Sequence, residues 1–272
     1  RLCRDWSSDV CSSDLDLDLW VRARPNDPWA HTLRGAYHFY VGCRTSNNPS
    51  ASEVVVEHKR TIGDYDAQGT ADMQRALELN PKLMPAYLIL IDIDKDDRDL
   101  EGATQMYTRA HAEIPQSYLI AYWYMVALEP RWGGSWNAME DYGRRIAAES
   151  DLNPRFWALQ GSVDADRGDG DYQAENYGRA FHDYDVALRY GDDEGWLNWA
   201  MNAALGLRDF SAERDYGKRL MLYQGKKADP NALDGERYCL FAATPCVPST
   251  EASYPWRGEP SMSTPAITAD KL

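Results

Sequence analysis

The sequence lacks a hydrophobic run long enough to cross a bilayer, and it lacks a block of basic residues. Even the apolar stretch at residues 83–93 is interrupted by Pro85 and Asp92, so no membrane span is predicted in this fragment. The 272 residues include 43 acidic and 29 basic side chains, for a formal net charge of -14. The basic surface that draws a protein onto nucleic acid phosphates is therefore missing. The composition predicts an acidic globular chain whose partner is a protein or a small molecule, not a nucleic acid.

Cysteine is scarce. Two of the five cysteines, Cys3 and Cys11, lie within residues 1–15. The others, Cys43, Cys239 and Cys246, form an odd and widely spaced set that matches neither a disulfide framework nor a metal-ligand pattern. Ordinary reduced thiols are the favoured prediction, and a disulfide between Cys239 and Cys246 is the alternative if the chain is exported.

Motifs for catalysis and for metal binding are also missing. The sequence has no HExxH, no GxSxG and no glycine-rich phosphate loop with its lysine. His31 and His38 are seven residues apart and share one helix face, but without a third ligand they predict a solvated or half-buried face. Clusters of acidic residues, such as the one at Glu194, are expected in any sequence with this many acidic side chains, so they say little about catalysis. No catalytic residue, metal or cofactor is predicted.

Two segments resemble the opening of a calcium loop. The first starts at Asp92 but has Asp97 where glycine makes the turn and Ala103 where the bidentate glutamate belongs. The second starts at Asp164 and reaches Glu175 at the twelfth position, but its fifth and sixth residues do not fit. Both segments are better interpreted as acidic turns between helices.

Residues 4–15, RDWSSDVCSSDL, have neither helical nor strand periodicity. All twelve letters agree with the in-frame translation of a common short-read sequencing adapter. Residues 1–15 are therefore interpreted as a translation artefact, predicted to be disordered, with a Ser/Asp-rich leader as the alternative. The natural N-terminus is then missing, so the compartment stays open, with the cytoplasm as the default and export as the alternative.

What the sequence does contain is an internal repeat of about 34 residues. Ala76 and Pro81 return 34 positions later as Ala110 and Pro115, which is the length of the tetratricopeptide repeat. The second helix of such a unit carries a small residue, an aromatic residue four later and a small residue three after that, so that one face packs closely on the preceding helix. Three further segments carry most of this spacing: Ala180, Tyr184 and Ala187; Ala212 and Tyr216, with Arg219 last; and Ala138 and Tyr142, with Arg145 last.

Helix punctuation agrees with this register. Asp27 and Asn153 each precede a proline, which is typical of a helix start. Five helix pairs are predicted at about 28–80 and 154–190, each with a loop insertion, and at 83–114, 117–149 and 193–224. The only strand signal is the three valines at 54–56. The predicted domains are the helical repeats at 16–243 and a disordered Pro/Ser/Thr-rich tail at 244–272.

Residues 28–224 resemble the tetratricopeptide superfamily in this spacing. The segment at 128–135, LEPRWGGS, is similar to a bacterial family of tetratricopeptide-like domains of unknown function, in which a proline, an arginine, a tryptophan and two glycines close a helix. The resemblance implies an irregular all-α solenoid without enzymatic activity. Trp132 then either plugs the seam between helix pairs, the favoured alternative, or forms with Arg131 an exposed pair suited to partner contact.

The function predicted from this fold is that of a non-catalytic protein-interaction scaffold. The predicted partner-binding residues are Arg131 and Trp132, together with Asp92 and Glu194 on first helices that line a groove. Leu197 and Met201 are also placed in that groove, so a basic or apolar peptide is the expected partner. The alternative is a helical-repeat hydrolase that acts on a polymer through its acidic residues and aromatic platforms. The oligomeric state stays open.

Overall fold

Helices make up the regular structure of the residues that can be described. The computed structural model describes residues 10–46 and 54–225, with side chains for 16–41 and 64–225. The predicted all-α fold is confirmed in these ranges, which hold no strand, and no helix within them is long and apolar enough to span a membrane. The helices are α1 (Val10–Ala23), α2 (Pro28–Ser46), α3 (Val54–Leu79), α4 (Met84–Asp96), α5 (Leu100–Glu113), α6 (Tyr118–Ala127), α7 (Trp136–Ala147), α8 (Ser162–Gln173), α9 (Tyr177–Ala187), α10 (Glu194–Gly206) and α11 (Phe210–Tyr223), with short 3-10 helices at Pro130–Trp132 and Pro154–Gly161.

Consecutive helices pack against each other in four of the five predicted pairs. Contacts join α2 with α3, α4 with α5, α8 with α9, and α10 with α11. The ends of these helices lie within a few residues of the predicted bounds. The helix starts predicted from proline also hold, since α2 begins at Pro28 and a 3-10 helix begins at Pro154. Stacking of the pairs into a solenoid stays a prediction.

Three predictions about local structure are wrong. Val54, the first residue of the expected strand signal, begins the long helix α3, because three β-branched residues cost a helix only a fraction of a kcal/mol each. The insertion expected in the fourth pair is a 3-10 helix that runs directly into α8. Residues 10–15, expected to be disordered, are the first residues of α1, whose later residue Val21 is buried. The predicted tail at 244–272, which contains Cys246, lies outside the described residues, and so does Cys239.

The chain divides into two units, each with its own core. Unit 1 comprises residues 1–139 and 151–153, and unit 2 comprises residues 140–150 and 154–272. The core of unit 1 is formed by α3, α4, α5 and α6, with Tyr87 and Ile91 fully buried. The core of unit 2 is formed by α8, α9, α10 and α11, with Tyr184 and Leu197 fully buried.

Small residues at the predicted positions allow the paired helices to approach closely. Ala103 and Ala110 on α5 are completely buried, as are Ala180 and Ala187 on α9. In unit 2 a Cβ atom on Gly168 would lie 3.0 Å from the ring of Tyr184. The spacing of small and aromatic residues therefore identified the packed face of these second helices correctly.

The same turn connects the two helices in three of the pairs, although no sequence motif predicted it. Arg98, Glu175 and Arg208 have positive φ values of 58°, 59° and 59°, and each lies two residues before the first residue of the second helix of its pair. In all three turns the next backbone N–H donates to a carbonyl five residues earlier, as Asp99 does to Asp94 at 2.8 Å. Helices commonly end in this way, but usually with glycine at the left-handed position. The turn is thus a repeated structural feature of both units.

Ala110→Asp tests the packing register. The substitution places a charge at a completely buried contact, so we expect the free energy of unfolding to fall by about 3 kcal/mol or more. Ala112→Asp is the matched control because Ala112 is exposed on the same helix, and its cost should stay within about 1 kcal/mol. Urea denaturation followed by circular dichroism measures both variants, and equal stability of the two would contradict the register.

Candidate functional site

The first helices of the pairs in unit 1 lie side by side. Helix α2 contacts α4, and α4 contacts α6. The second helices α3 and α5 pack against them, with α3 contacting α2 and α4, and α5 contacting α4 and α6. The first helices therefore form one layer, whose remaining side is free of the second helices.

Equivalent positions on these three helices carry apolar side chains that the core does not cover completely. On α4 they include Pro85 and Ile89, and 34 residues later on α6 they are Leu119 and Trp123. The same helical spacing on α2 gives Trp29, Leu33 and Tyr40. We call this set the first-helix stripe: Trp29, Leu33, Tyr40, Pro85, Ile89, Asp92, Leu119, Trp123 and Val126.

The stripe exposes large apolar side chains at both of its outer helices. Trp29, Leu33 and Tyr40 are 50%, 44% and 42% exposed, and Leu119 on α6 is 45% exposed. Single exposed apolar residues are common on protein surfaces. Three of these side chains instead share one face of α2, and Leu119 adds a fourth on α6, across α4. Such a set is a candidate binding surface.

A buried lysine lies where α4 and α6 end. The Nζ atom of Lys95 lies 4.4 Å from the centre of the Trp132 ring and 5.5 Å from that of Trp123. It also forms ion pairs with Asp92 Oδ1 at 2.5 Å and Asp96 Oδ1 at 3.0 Å. We call these five residues the Lys95 cage. It brings together two of the predicted site residues, Asp92 and Trp132, which are 40 positions apart in the sequence.

The cage keeps its lysine charged. Burial lowers the pKa of Lys95, but the hydrogen bond to Asp92 and the charges of Asp92 and Asp96 outweigh burial and raise it. Burial is also the main reason why the pKa of Asp92 is raised, although its hydrogen bond with Lys95 opposes that change. The ammonium group is thus held by two carboxylates and by the faces of two indole rings, both of which favour a cation.

The turn that carries Trp132 is fixed by its backbone. Gly133 has a φ of 99°, a left-handed conformation that glycine adopts without strain. A Cβ atom on Gly134 would lie 2.0 Å from the carbonyl oxygen of Leu128, so this second glycine is needed for close approach and not for a positive φ. Ser135 accepts a hydrogen bond from the backbone N–H of Ala138 at 3.2 Å and so caps the start of α7.

The exposed pair of Arg131 and Trp132 was one of the predicted alternatives, and the two side chains have different environments. Trp132 is partly buried over Lys95, and its buried Nε1 has no hydrogen-bond partner among the described residues. Arg131 is exposed, and its Nε donates to Glu129 Oε2 at 2.6 Å. Trp132 therefore packs within unit 1, as the favoured alternative predicted, while Arg131 lies on the surface.

Several aspartates gather at the C-terminal end of α4, which we call the acidic end. Burial, followed by the charges of Asp97 and Asp96, raises the pKa of Asp66 to about 6. Burial, followed by the charges of Asp99 and Asp97, raises the pKa of Asp94 to about 6. These carboxyl groups repel one another at neutral pH, so the acidic end favours the approach of a cation.

The groove residues predicted in unit 2 are placed differently. Leu197 and Met201 belong to the hydrophobic core of that unit, so the prediction that they line a groove is wrong. They face the core because they pack with Tyr184, Ala200 and other core residues. Glu194 is exposed, and it accepts a hydrogen bond from Gln224 Nε2 at 2.7 Å.

Both histidines are buried, which corrects the expected solvated or half-buried face. His38 stacks on Tyr65 of α3, with ring centres 6.0 Å apart, because α3 covers this side of α2. Within the described side chains, neither histidine belongs to a group of three or more potential ligands that could hold a metal.

An ion network surrounds His31, and no sequence pattern predicted it. Its Nδ1 lies 3.0 Å from Asp72 Oδ1, and its Nε2 lies 3.0 Å from the carbonyl oxygen of Pro25. Arg34 donates two hydrogen bonds of 2.8 Å to Asp72 and a third, also of 2.8 Å, to Asp18 on α1. The hydrogen bond to Asp72 is the main cause of the raised pKa of Arg34. The network joins α1, α2 and α3 and has a structural role.

The two calcium-like segments are mostly helical. Asp92, Asp94 and Asp96 lie within α4, and the segment that begins at Asp164 lies within α8 up to Gln173. The interpretation of both as turns is therefore wrong except at residues 97–99 and 174–176. A helix spaces its carboxylates along its surface and does not wrap them around one ion.

The acidic end predicts a pH dependence of stability. The pKa of Asp94 is about 6 in the folded chain against an ordinary value of 3.8, so its stabilising protonation is complete below about pH 3.8 and is lost as the pH rises through 6. Asp94→Asn should raise the melting temperature at pH 8 and flatten its dependence between pH 4 and 7. Circular dichroism melts check this, and the exposed Asp151→Asn is the control. A wild-type slope in Asp94→Asn would contradict the prediction.

The contact between Lys95 and Trp132 can be measured with a double-mutant cycle. Combining Lys95→Met with Trp132→Leu should reveal a coupling of about 1 kcal/mol in the free energy of unfolding, because the cation lies over the ring. Trp157→Leu is the control, since Trp157 is exposed in unit 2 and should not couple to Lys95→Met. Urea denaturation gives both cycles, and equal coupling in the two would refute the assignment.

No protein-family model matches the chain, and no curated protein matches it. The resemblance to tetratricopeptide-like proteins and the bacterial origin therefore stay predictions. Inference about the function depends on the first-helix stripe, the Lys95 cage and the acidic end.

Proposed function

We propose that the chain is a non-catalytic protein-interaction scaffold and that the first-helix stripe of unit 1 binds a peptide segment of its partner. The observation that carries this proposal is the row of exposed apolar side chains, Trp29, Leu33 and Tyr40 on α2 and Leu119 on α6. A tryptophan or a tyrosine on such a surface offers a large, rigid contact area, which is typical of the residues that dominate binding energy.

The partner segment is expected to be apolar with a basic residue toward the acidic end. Asp96 and Asp97 are exposed there, next to carboxyl groups whose pKa is raised by burial and mutual repulsion. A lysine or arginine from the partner would relieve this repulsion. The overall charge of -14 would also attract a basic partner over longer distances.

The hydrolase alternative has less support. It needs aromatic platforms and free carboxylates, but Tyr87, Tyr142 and Tyr184 are core residues. Asp92 is engaged by Lys95, and Glu194 accepts from Gln224. The pKa of about 6 at Asp94 would suit a general acid, yet burial and the neighbouring aspartates of one turn account for it. These observations favour the scaffold.

A peptide library displayed on phage and selected on the full chain tests the proposal. We expect the selected peptides to be rich in apolar residues and to contain lysine or arginine, and their binding should weaken as salt is added. Leu33→Glu and Leu119→Glu should each weaken binding at least about tenfold, because they place a charge within the apolar contact. Fluorescence anisotropy with the selected peptides measures the affinities.

Leu222→Glu provides the matched control, since Leu222 is 72% exposed and lies in unit 2. It should leave peptide affinity unchanged, and melting temperatures should show that all three variants are folded. Equal loss in all three variants, or salt-independent binding of an acidic peptide, would overturn the proposal.

A further inference from the structure

The Lys95 cage has the composition of a binding site for an ammonium ion. Two indole faces and two carboxylates surround Nζ at distances that favour a cation. The ammonium group of Lys95 itself shows which chemistry the cage accepts. The cage therefore differs from an ordinary surface ion pair, which has carboxylates but no aromatic walls.

The walls of the cage are held by parts of unit 1 other than Lys95. Trp123 packs against the core on α6. Trp132 is held by the turn in which its backbone N–H donates to Glu129 at 3.0 Å and the N–H of Gly133 donates to Pro130 at 3.2 Å. Gly134 packs against Leu128 without room for a Cβ atom. The two rings are therefore expected to keep their positions when the lysine is removed.

The cage also adjoins solvent and the first-helix stripe. The side chain of Asp96 is 46% exposed while it contacts Nζ. Trp123 and Asp92 belong both to the cage and to the stripe. The cage therefore borders both solvent, through Asp96, and the surface on which the partner peptide is proposed to bind.

We propose that the Lys95 cage is an exchangeable ammonium site, in which a lysine side chain of the bound partner replaces Lys95. The proposal rests on the proposed function for the identity of the partner, and it names the specificity element of that surface. The exchange conserves charge within the cage, because one ammonium leaves as another enters. Lys95 then becomes exposed to solvent next to Asp96 and Asp97, where water and carboxylates compensate its charge.

The first experiment uses n-butylammonium, which has the length and charge of a lysine side chain, and the full chain with Lys95→Ala. We expect saturable binding that shifts the indole N–H signals of Trp123 and Trp132 in nuclear magnetic resonance spectra. Adding Trp132→Leu to this variant should weaken the binding about tenfold, because one ring face is lost. The neutral analogue n-butanol should bind at least about tenfold more weakly. No saturable shift, or equal binding of n-butanol, would overturn the ammonium site.

The second experiment uses the wild-type chain and tests the exchange itself. The ε-methylene protons of Lys95 lie near the rings and should show a ring-current shift, assigned by its loss in Lys95→Ala or Lys95→Arg. Titration with n-butylammonium should move this signal toward that of a solvated lysine, whereas n-butanol should not. A signal that stays shifted at concentrations that fill Lys95→Ala would show that Lys95 is a fixed internal cation and would overturn the exchange.

The wild-type titration tests the exchange even if Lys95→Ala does not fold. Added n-butylammonium then either moves the Lys95 signal toward that of a solvated lysine, which supports the exchange, or leaves it unchanged up to the solubility limit, which overturns it. Neither experiment needs a peptide. A failure of the first-helix stripe to bind peptides would therefore leave both titrations interpretable, and a failure of the titrations would leave the peptide measurements unaffected.

Discussion

Close packing of helices at alanine and glycine is the contact on which this structure depends. Gly35 and Gly69 bring α2 and α3 together so closely that a Cβ atom on either would lie about 3 Å from the carbonyl oxygen of the other (3.0 Å and 3.1 Å). Ala110 on α5 and Ala187 on α9 are completely buried at the corresponding contacts of other pairs. The absence of large side chains at these points lets backbones approach, and aromatic residues such as Tyr184 fill the adjoining space.

This packing determines which side of a first helix remains available for binding. In unit 1 the core takes Tyr87 and Ile91 from α4, which leaves Ile89 and Asp92 partly exposed. The equivalent residues of α6 lie 34 positions later, so the same side is left on the next helix. The apolar stripe is thus a consequence of the repeat and needs no motif of its own.

Much of the fold could be predicted because its signals are local. The spacing of Ala180, Tyr184 and Ala187 defines a packed face within one helix, and proline marks the start of α2. The three left-handed turns were missed because Arg98, Glu175 and Arg208 occupy positions where glycine is usual. Their conformation follows from the hydrogen bonds that close each helix pair, which are visible only in the structure.

The candidate site was harder to predict because its parts are distant in the sequence. The sequence motif drew attention to Trp132, but the cation that this ring contacts is on α4, and no local sequence signal connects Lys95 with it. Leu197 and Met201 were wrongly placed in a groove because the comparison of repeats gives only the position of a residue along its helix. It does not show which residues of other helices pack against that position. In unit 2 Leu197 and Met201 pack into the core, whereas in unit 1 Asp92 is only partly buried and forms an ion pair with Lys95.

The charges around Lys95 explain how the polar Lys95 cage can lie beside the apolar first-helix stripe. A single lysine neutralises part of a cluster that also contains Asp94, Asp97 and Asp99. Burial raises the pKa of Asp94 and Asp97, and the charges of neighbouring carboxylates raise both further. Removing Lys95 from the cage without a substitute would leave Asp92 half-buried and unpaired, which is costly. In the proposed exchange the entering cation takes the place of Lys95 beside Asp92, and this would link the release of Lys95 to the charge of the ligand.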